Sequence, residues 1–190
     1  MRLAAKIAAV LAAGTLIGLF ATWITVVRGG MPGGISDGPW RTSLAIGSLQ
    51  SDPYTRASVA LHGLFALNRS EALYYAATRD SDGHRLDGHC RYQVSGRDPN
   101  ARWWSITAYG ADDFLIPDPA NRYSVSKTSI VRRADGTYIV DVGRNPGGAN
   151  RIAVAAQPFS LTLRLYNPGP DIVLDPADAD LPTIARGVCS

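Results

Sequence analysis

Lysine and glutamate are almost missing from this chain: Lys6 and Lys127 are its only lysines and Glu71 its only glutamate. Arginine serves bidentate contacts better than lysine, but a general compositional bias explains the scarcity more simply. A clustered basic face is missing as well. The formal net charge of +3 equals the contribution of Arg2, Lys6 and Arg28, and no acid occurs in residues 1–28. The remainder is therefore formally neutral, which excludes the counterion-releasing surface that nucleic-acid binding needs. Reactive groups are few: two cysteines, three histidines, no G-x-S-x-G motif, and no histidine placed for a catalytic triad.

The first feature present in quantity is apolar length. Ile7 to Val27 carries no charge, and at about 1.5 Å per residue it matches the roughly 30 Å of a bilayer's hydrocarbon. Trp23 near its end suits the interfacial belt. A cleaved signal peptide has a shorter apolar region ending in small residues, whereas bulky Trp23, Ile24, Val26 and Val27 close this one. Residues 1–28 are thus expected to be a transmembrane anchor. Arg2, Lys6 and the terminal amine on one side, against Arg28, place the N-terminus inside by the positive-inside bias. In a bacterium this gives a single-pass inner-membrane protein with its C-terminal domain in the periplasm. Residues 29–40, rich in Gly and Pro, read as a flexible linker, and residues 41–190 as one domain.

Asp52-Pro53 starts a helix, with Asp as N-cap and Pro at the first helical position. Tyr54, Ala57, Leu61, Leu64 and Phe65 share a face of it, and His62 on it is expected to be structural. From Glu71 onward the pattern becomes β. Residues 71–79 and 89–95 flank a loop whose Asp82-Gly83 pair suits a hairpin turn. Trp103 to Tyr109 alternates, with Trp104, Ile106 and Ala108 on one face and Trp103, Ser105, Thr107 and Tyr109 on the other. Residues 128–143 read as a hairpin around Asp135-Gly136. In Phe159 to Tyr166, Phe159, Leu161, Leu163 and Leu165 face inward, each worth about 1.5–3 kcal/mol when buried. Ser160, Thr162, Arg164 and Tyr166 face outward. The tail from Asn167 reads as extended chain over the sheet. These elements predict a mainly β protein, an antiparallel jelly-roll-like β-sandwich with one packed helix.

Five motifs in fixed order carry a resemblance: Asp80…Gly83…Leu86-Asp87-Gly88…Tyr92; Trp104-Ser105-Ile106-Thr107…Tyr109; Asn121-Arg122-Tyr123-Ser124; Asp135-Gly136; and Pro158-Phe159…Leu161-Thr162-Leu163-Arg164-Leu165-Tyr166. Over about residues 70–185 the chain resembles the domain-of-unknown-function family numbered 1214. The resemblance implies a jelly-roll β-sandwich and carries no established reaction. Longer members place another β-domain, of the 1254-numbered family, before this one. Here an anchor, a linker and one helix stand in that place. Members commonly have Asn-Trp-Leu-Pro before the last strand, where this chain has Asn150-Arg151-Ile152-Ala153.

Four groups of residues invite a chemical reading. Cys90 and Cys189 are an even count that suggests one disulfide in an oxidising compartment, although Cys189 lies where chain ends fray and two separate thiols remain the alternative. Asp80, Asp82, Asp87, His84 and His89 cluster in ten residues, but the spacing fails the EF-hand pattern and turn chemistry accounts for the aspartates. No metal or other cofactor is expected. Ser124-Val125-Ser126-Lys127 satisfies S-x-x-K without the companion motifs of the serine–lysine hydrolases. Finally, Trp103, Tyr109, Asn121, Arg122, Tyr123, Arg164 and Tyr166 are the aromatic and polar-tipped side chains that a sugar, peptide or anion site uses. The plainer alternative is that Asn121-Arg122-Tyr123 ties a corner and Arg164 pairs with a carboxylate. The expectation is a non-enzymatic module for an unknown envelope ligand or protein, with the membrane as partner through Ile7 to Val27. A hydrolase acting on a small envelope or carbohydrate substrate is the alternative, and a purely structural subunit a third.

Overall fold

The computed structural model describes residues 2–28, 34–48, 50–61 and 67–189. Helix α1 (Arg2–Arg28) contains the apolar span, long and apolar enough to cross a membrane, and no residue of that span is buried against the protein. Its missing polar face is the reason: a helix apolar all round has nowhere in a small neutral domain to hide.

The remainder is mainly β, in two layers. The larger sheet has the order β1-β2-β3-β9-β5-β6, with β1 (Gly34–Asp37), β2 (Trp40–Ser43), β3 (Ala72–Ala77), β9 (Phe159–Pro168), β5 (Ala101–Gly110) and β6 (Ser124–Ser126). The smaller has the order β10-β4-β7-β8, with β10 (Thr183–Cys189), β4 (Cys90–Gly96), β7 (Tyr138–Gly143) and β8 (Arg151–Ala153). One core lies between them. Trp104, Ile106, Leu161, Leu163 and Leu165 of the larger sheet meet Tyr92, Val94, Tyr138, Val140 and Val142 of the smaller. Trp104 stacks on Tyr138 with centroids 5.1 Å apart, and Tyr92 meets Phe159 edge-on at 5.7 Å. The period of two thus delivers β9 as expected, with Leu161, Leu163 and Leu165 fully buried and the intervening residues on the outer face.

The sandwich is closed by long-range ties. Trp40 Nε1 donates to the Pro182 carbonyl at 2.6 Å, and Asp37 accepts from the amides of Ala179 and Leu181. Burial, partly offset by those amides, pushes the Asp37 carboxyl above its ordinary range. Cys90 and Cys189 are joined by a disulfide, opposite one another where β10 pairs with β4. The family motif Leu86-Asp87-Gly88 serves the fold: Leu86 is core, and a Cβ on Gly88 would stand 1.7 Å from the Ala155 carbonyl oxygen. Only glycine permits that approach.

Four expectations need correction. Residues 71–79 and 89–95 do not form a hairpin: β3 and β4 belong to different sheets, and the loop between them crosses the sandwich. Residues 128–143 are not a hairpin either. Asn150 accepts from the Val131 amide and donates to its carbonyl, taking the groups a strand would have used, while β7 pairs with β4 and, in parallel, with β8. That pair is the one parallel pairing among the described strands, and the antiparallel sandwich expected from the sequence otherwise stands. The tail from Asn167 is more regular than expected, forming a short helix α3 (Pro170–Leu174) and then β10. Gly34–Asp37, at the end of the expected linker, is a strand paired with β2. The rest of that linker up to residue 33 lies outside the described residues.

Helix α2 (Pro53–Leu61) starts as its sequence says, with Asp52 Oδ1 accepting from the amides of Tyr54 and Thr55. His62, Leu64 and Phe65 lie outside the described residues. Ile46, Ala72 and Tyr74 form a small cluster against which Val59 of α2 and Tyr166 pack, so α2 lies over part of the outer face of the larger sheet. The helix also touches α1.

A bridge that closes a loop of 99 residues restricts the unfolded chain strongly. Cys189→Ser in the full-length protein should lower the unfolding free energy by about 2–4 kcal/mol, read from urea denaturation in detergent. An unchanged urea midpoint would count against any stabilising role for the bridge.

Candidate functional site

The strongest concentration of functional side chains lies on the outer face of the larger sheet, and strand register puts it there. β5 and β9 pair along nearly their whole length, with Trp103 opposite Tyr166, Ser105 opposite Arg164 and Thr107 opposite Thr162. On the other side of β9, β3 sets Tyr74 opposite Arg164 and Ala72 opposite Tyr166. Four expected site residues, Trp103, Tyr109, Arg164 and Tyr166, therefore share one face. Tyr74 joins them, although the sequence alone did not single it out: the run Ala72–Ala77 does not alternate, and only pairing with β9 gives Tyr74 its face.

Arg164 is the centre. Its guanidinium donates to Thr107 Oγ1 at 3.3 Å and to the Tyr109 hydroxyl at 2.6 Å, and its carbon lies 5.4 Å from the Tyr109 ring centroid. The expected carboxylate partner is not what it found. Among the described residues no acidic side chain lies within ion-pair distance of it, whereas Arg132 in the same domain meets Asp98 at 2.9 Å. Trp103 and Tyr166 form an aromatic step beside it, with centroids 5.5 Å apart and planes at 58°. Ser105 and Thr107 are outward by register yet almost fully buried, so this face is roofed by its own large side chains. Trp103, Tyr109, Arg164 and Tyr166 themselves are half-buried. Such a seat combines one cation, several hydroxyls and two ring faces.

Burial pushes the Tyr74 phenol above its ordinary value, the neighbouring Tyr166 adds to this, and the Arg164 charge works against it.

Asn121, Arg122 and Tyr123 are not drawn into the seat by any contact among the described residues. They form the corner leading into β6. Asp118 accepts from the Arg122 amide, the Tyr123 hydroxyl donates to Asn121 Oδ1, and Asn121 takes φ +53°. Near them is a cleft of about 670 Å³ between residues 116–120, residues 144–146, and Arg151, Ala153, Val154 and Ala155.

The remaining candidates resolve into local roles. Lys127 Nζ donates to the Ala101 carbonyl at 2.7 Å, while the Ser126 hydroxyl bonds to Thr128 and Ser129. Asp80, Asp82 and His84 bring one ligand atom each within 4.8 Å of the others. Asp80 Oδ1 there accepts from the amides of Asp82 and His84, the ordinary duty of an aspartate in a turn. Asp87 and His89 form a separate pair at 2.6 Å, and the His89 amide, with its imidazole, holds the Asp87 carboxyl below its usual range. Arg186 donates to Cys90 Sγ from two nitrogens, at 3.3 and 3.2 Å.

Removing the Arg164 charge removes one of the two influences that favour the Tyr74 phenolate, the other being a backbone hydrogen bond at Leu67. Arg164→Met should therefore raise the Tyr74 pKa further, measured by NMR titration of the tyrosine rings. A fall would mean that the guanidinium does not act on Tyr74.

Comparison with known proteins follows the same outline. Among solved structures, the VPA0106 protein from Vibrio parahaemolyticus superposes with a TM-score of 0.61 at 26% identity, over 73% of this chain and 36% of its own. An uncharacterised protein from Burkholderia cenocepacia gives 0.46 and 17%, over 94% of this chain and 42% of its own. The chain thus spans well under half the length of either. The comparison with curated proteins finds no match. The family model described as "Protein of unknown function (DUF1214)" matches residues 71–170. That span runs from just before β3 to the start of α3 and contains every residue of the Arg164 seat, while Cys189 and β10 lie beyond it. With more than half of its length matched by that model, the chain belongs to the DUF1214 family.

Proposed function

We propose that this protein is a single-pass membrane protein that displays a ligand-binding β-sandwich in the bacterial periplasm, and that its ligand is taken at the Arg164 seat. The single observation that carries the binding role is a half-buried guanidinium held by two hydroxyls beside an aromatic step, with no acidic partner among the described residues. A cation removed from water without a counter-charge is costly. Arg132, by contrast, meets Asp98. A fixed positive charge flanked by ring faces is a common ingredient of a small-molecule site.

Two observations support the location. The α1 span is long and apolar enough to cross a bilayer, and the Cys90–Cys189 disulfide suits an oxidising compartment. Arg2 and Lys6 ahead of the span favour an inside N-terminus. A hydrolase is the second reading from the sequence, and no observed contact favours it: Lys127 is engaged with the Ala101 carbonyl rather than with Ser124 or Ser126.

Both halves of the proposal are testable in the full-length protein. Alkaline phosphatase fused after Ser190 should be active in cells, since it folds only outside the cytoplasm; an inactive fusion at normal abundance would reverse the orientation. In detergent, a panel of small acids, sugars and short peptides screened by thermal shift should yield a stabilising compound. Its effect should disappear in Trp103→Ala. Stabilisation that survives this change would place the site elsewhere.

A further inference from the structure

The seat also contains information about what fills it. Arg164 has five N–H donors, and two of its contacts go to hydroxyls, which are dipoles and leave the unit charge unneutralised. The residues outside the described set are Met1, 29–33, Leu49, 62–66 and Ser190, and none of these has an acidic side chain. Every aspartate and glutamate is thus among the described residues, and none of them lies within ion-pair distance of this guanidinium. A planar fork of donors matches a carboxylate. One guanidinium, with no second arginine or lysine bonded into the seat, suits a monoanion better than a phosphate dianion.

Strand geometry sets the size of the rest. Tyr166 lies two residues from Arg164 along β9, about 7 Å at the usual rise of a strand. Trp103 stands opposite Tyr166, with its ring tilted against the tyrosine ring. A molecule with its anionic end on Arg164 would thus lay a body of about 7 Å towards two ring faces. One aromatic ring and a methylene fill that length. Tyr74, opposite Arg164 on β3 and in the small cluster against which Val59 of α2 packs, bounds the other side.

We propose that the Arg164 seat binds a small organic monoanion, a carboxylate with a planar apolar body about one ring long. The carboxylate sits on the guanidinium and the body lies against Trp103 and Tyr166. The assignment rests on the binding role proposed above and adds the ligand's charge, its size and its orientation.

The test uses the full-length protein in detergent micelles, with the Trp103 indole N–H resonance, assigned through Trp103→Phe, as the reporter. The probes are phenylacetate, its neutral analogue phenylacetamide, and inorganic phosphate. Phenylacetate should shift the resonance saturably, with phenylacetamide and phosphate each at least tenfold weaker. Arg164→Met should weaken phenylacetate binding at least tenfold. Arg164→Lys, which keeps the charge but loses the fork, should fall between and guards against a Met variant that fails to fold. If the amide binds as tightly as the acid, the anion assignment is wrong while the seat remains a binding site. If phosphate binds as tightly as phenylacetate, the body has no role and the proposed class is wrong. If neither phenylacetate nor phenylacetamide moves the resonance, the ligand class and the binding role fall together.

Discussion

The pairing of β5 with β9 governs this molecule. Their register runs from Ala101 against Pro168 to Gly110 against Phe159, and each strand alternates faces along it. Because the period is two, one decision fixes both layers: the residues that put Trp104, Ile106, Leu161, Leu163 and Leu165 into the core necessarily put Trp103, Thr107, Tyr109, Arg164 and Tyr166 together outside. A slip of β9 by one residue would bury the arginine and expose Phe159, Leu161, Leu163 and Leu165. The core therefore enforces the geometry of the seat, and the seat does not need to stabilise itself.

Much of the fold was legible for this reason. The leucines of β9 and the β-formers of β5 state their faces in the sequence, and Asp52-Pro53 announces α2 through backbone capping, a local interaction. Long-range pairings were not legible. Asp82-Gly83 turns the chain locally, with the Asp80 amide on the His84 carbonyl, yet the strands on either side of the loop join different sheets. A turn signal specifies a reversal, not which sheet receives the next strand. Likewise Ser129–Ala134 looks like a strand because Ile130 and Val131 are β-formers, but the Asn150 side chain claims the Val131 backbone. That competition comes from a residue 19 positions away and leaves no trace in the local pattern. Tail residues 183–189 pair with β4 across the whole domain for the same kind of reason.

The candidate site was legible in its parts rather than as a whole. Trp103, Tyr109, Arg164 and Tyr166 could be named from outward parity alone, and register unites them. Asn121, Arg122 and Tyr123 entered the same set as polar-tipped and aromatic residues of a loop, and they turn out to shape a corner organised by Asp118. The motif residues Leu86, Gly88 and Tyr92 likewise serve packing: Tyr92 is in the core and its hydroxyl accepts from the Asp87 amide. What the sequence could not disclose is that Arg164 lacks an acid. Sixteen acidic residues made a carboxylate partner a reasonable expectation, and only the third dimension shows hydroxyls there instead. The seat lies beside α2, which itself touches α1, so the proposed ligand site stands next to the element that would hold the domain at a membrane.

The location of a bound acid tests the account most directly. Intermolecular nuclear Overhauser effects between phenylacetate and the full-length protein in deuterated micelles should connect the phenyl protons to the rings of Trp103 and Tyr166. Effects confined instead to the cleft residues Ile116, Pro117 and Pro146 would show that the outer face of the larger sheet is not the seat.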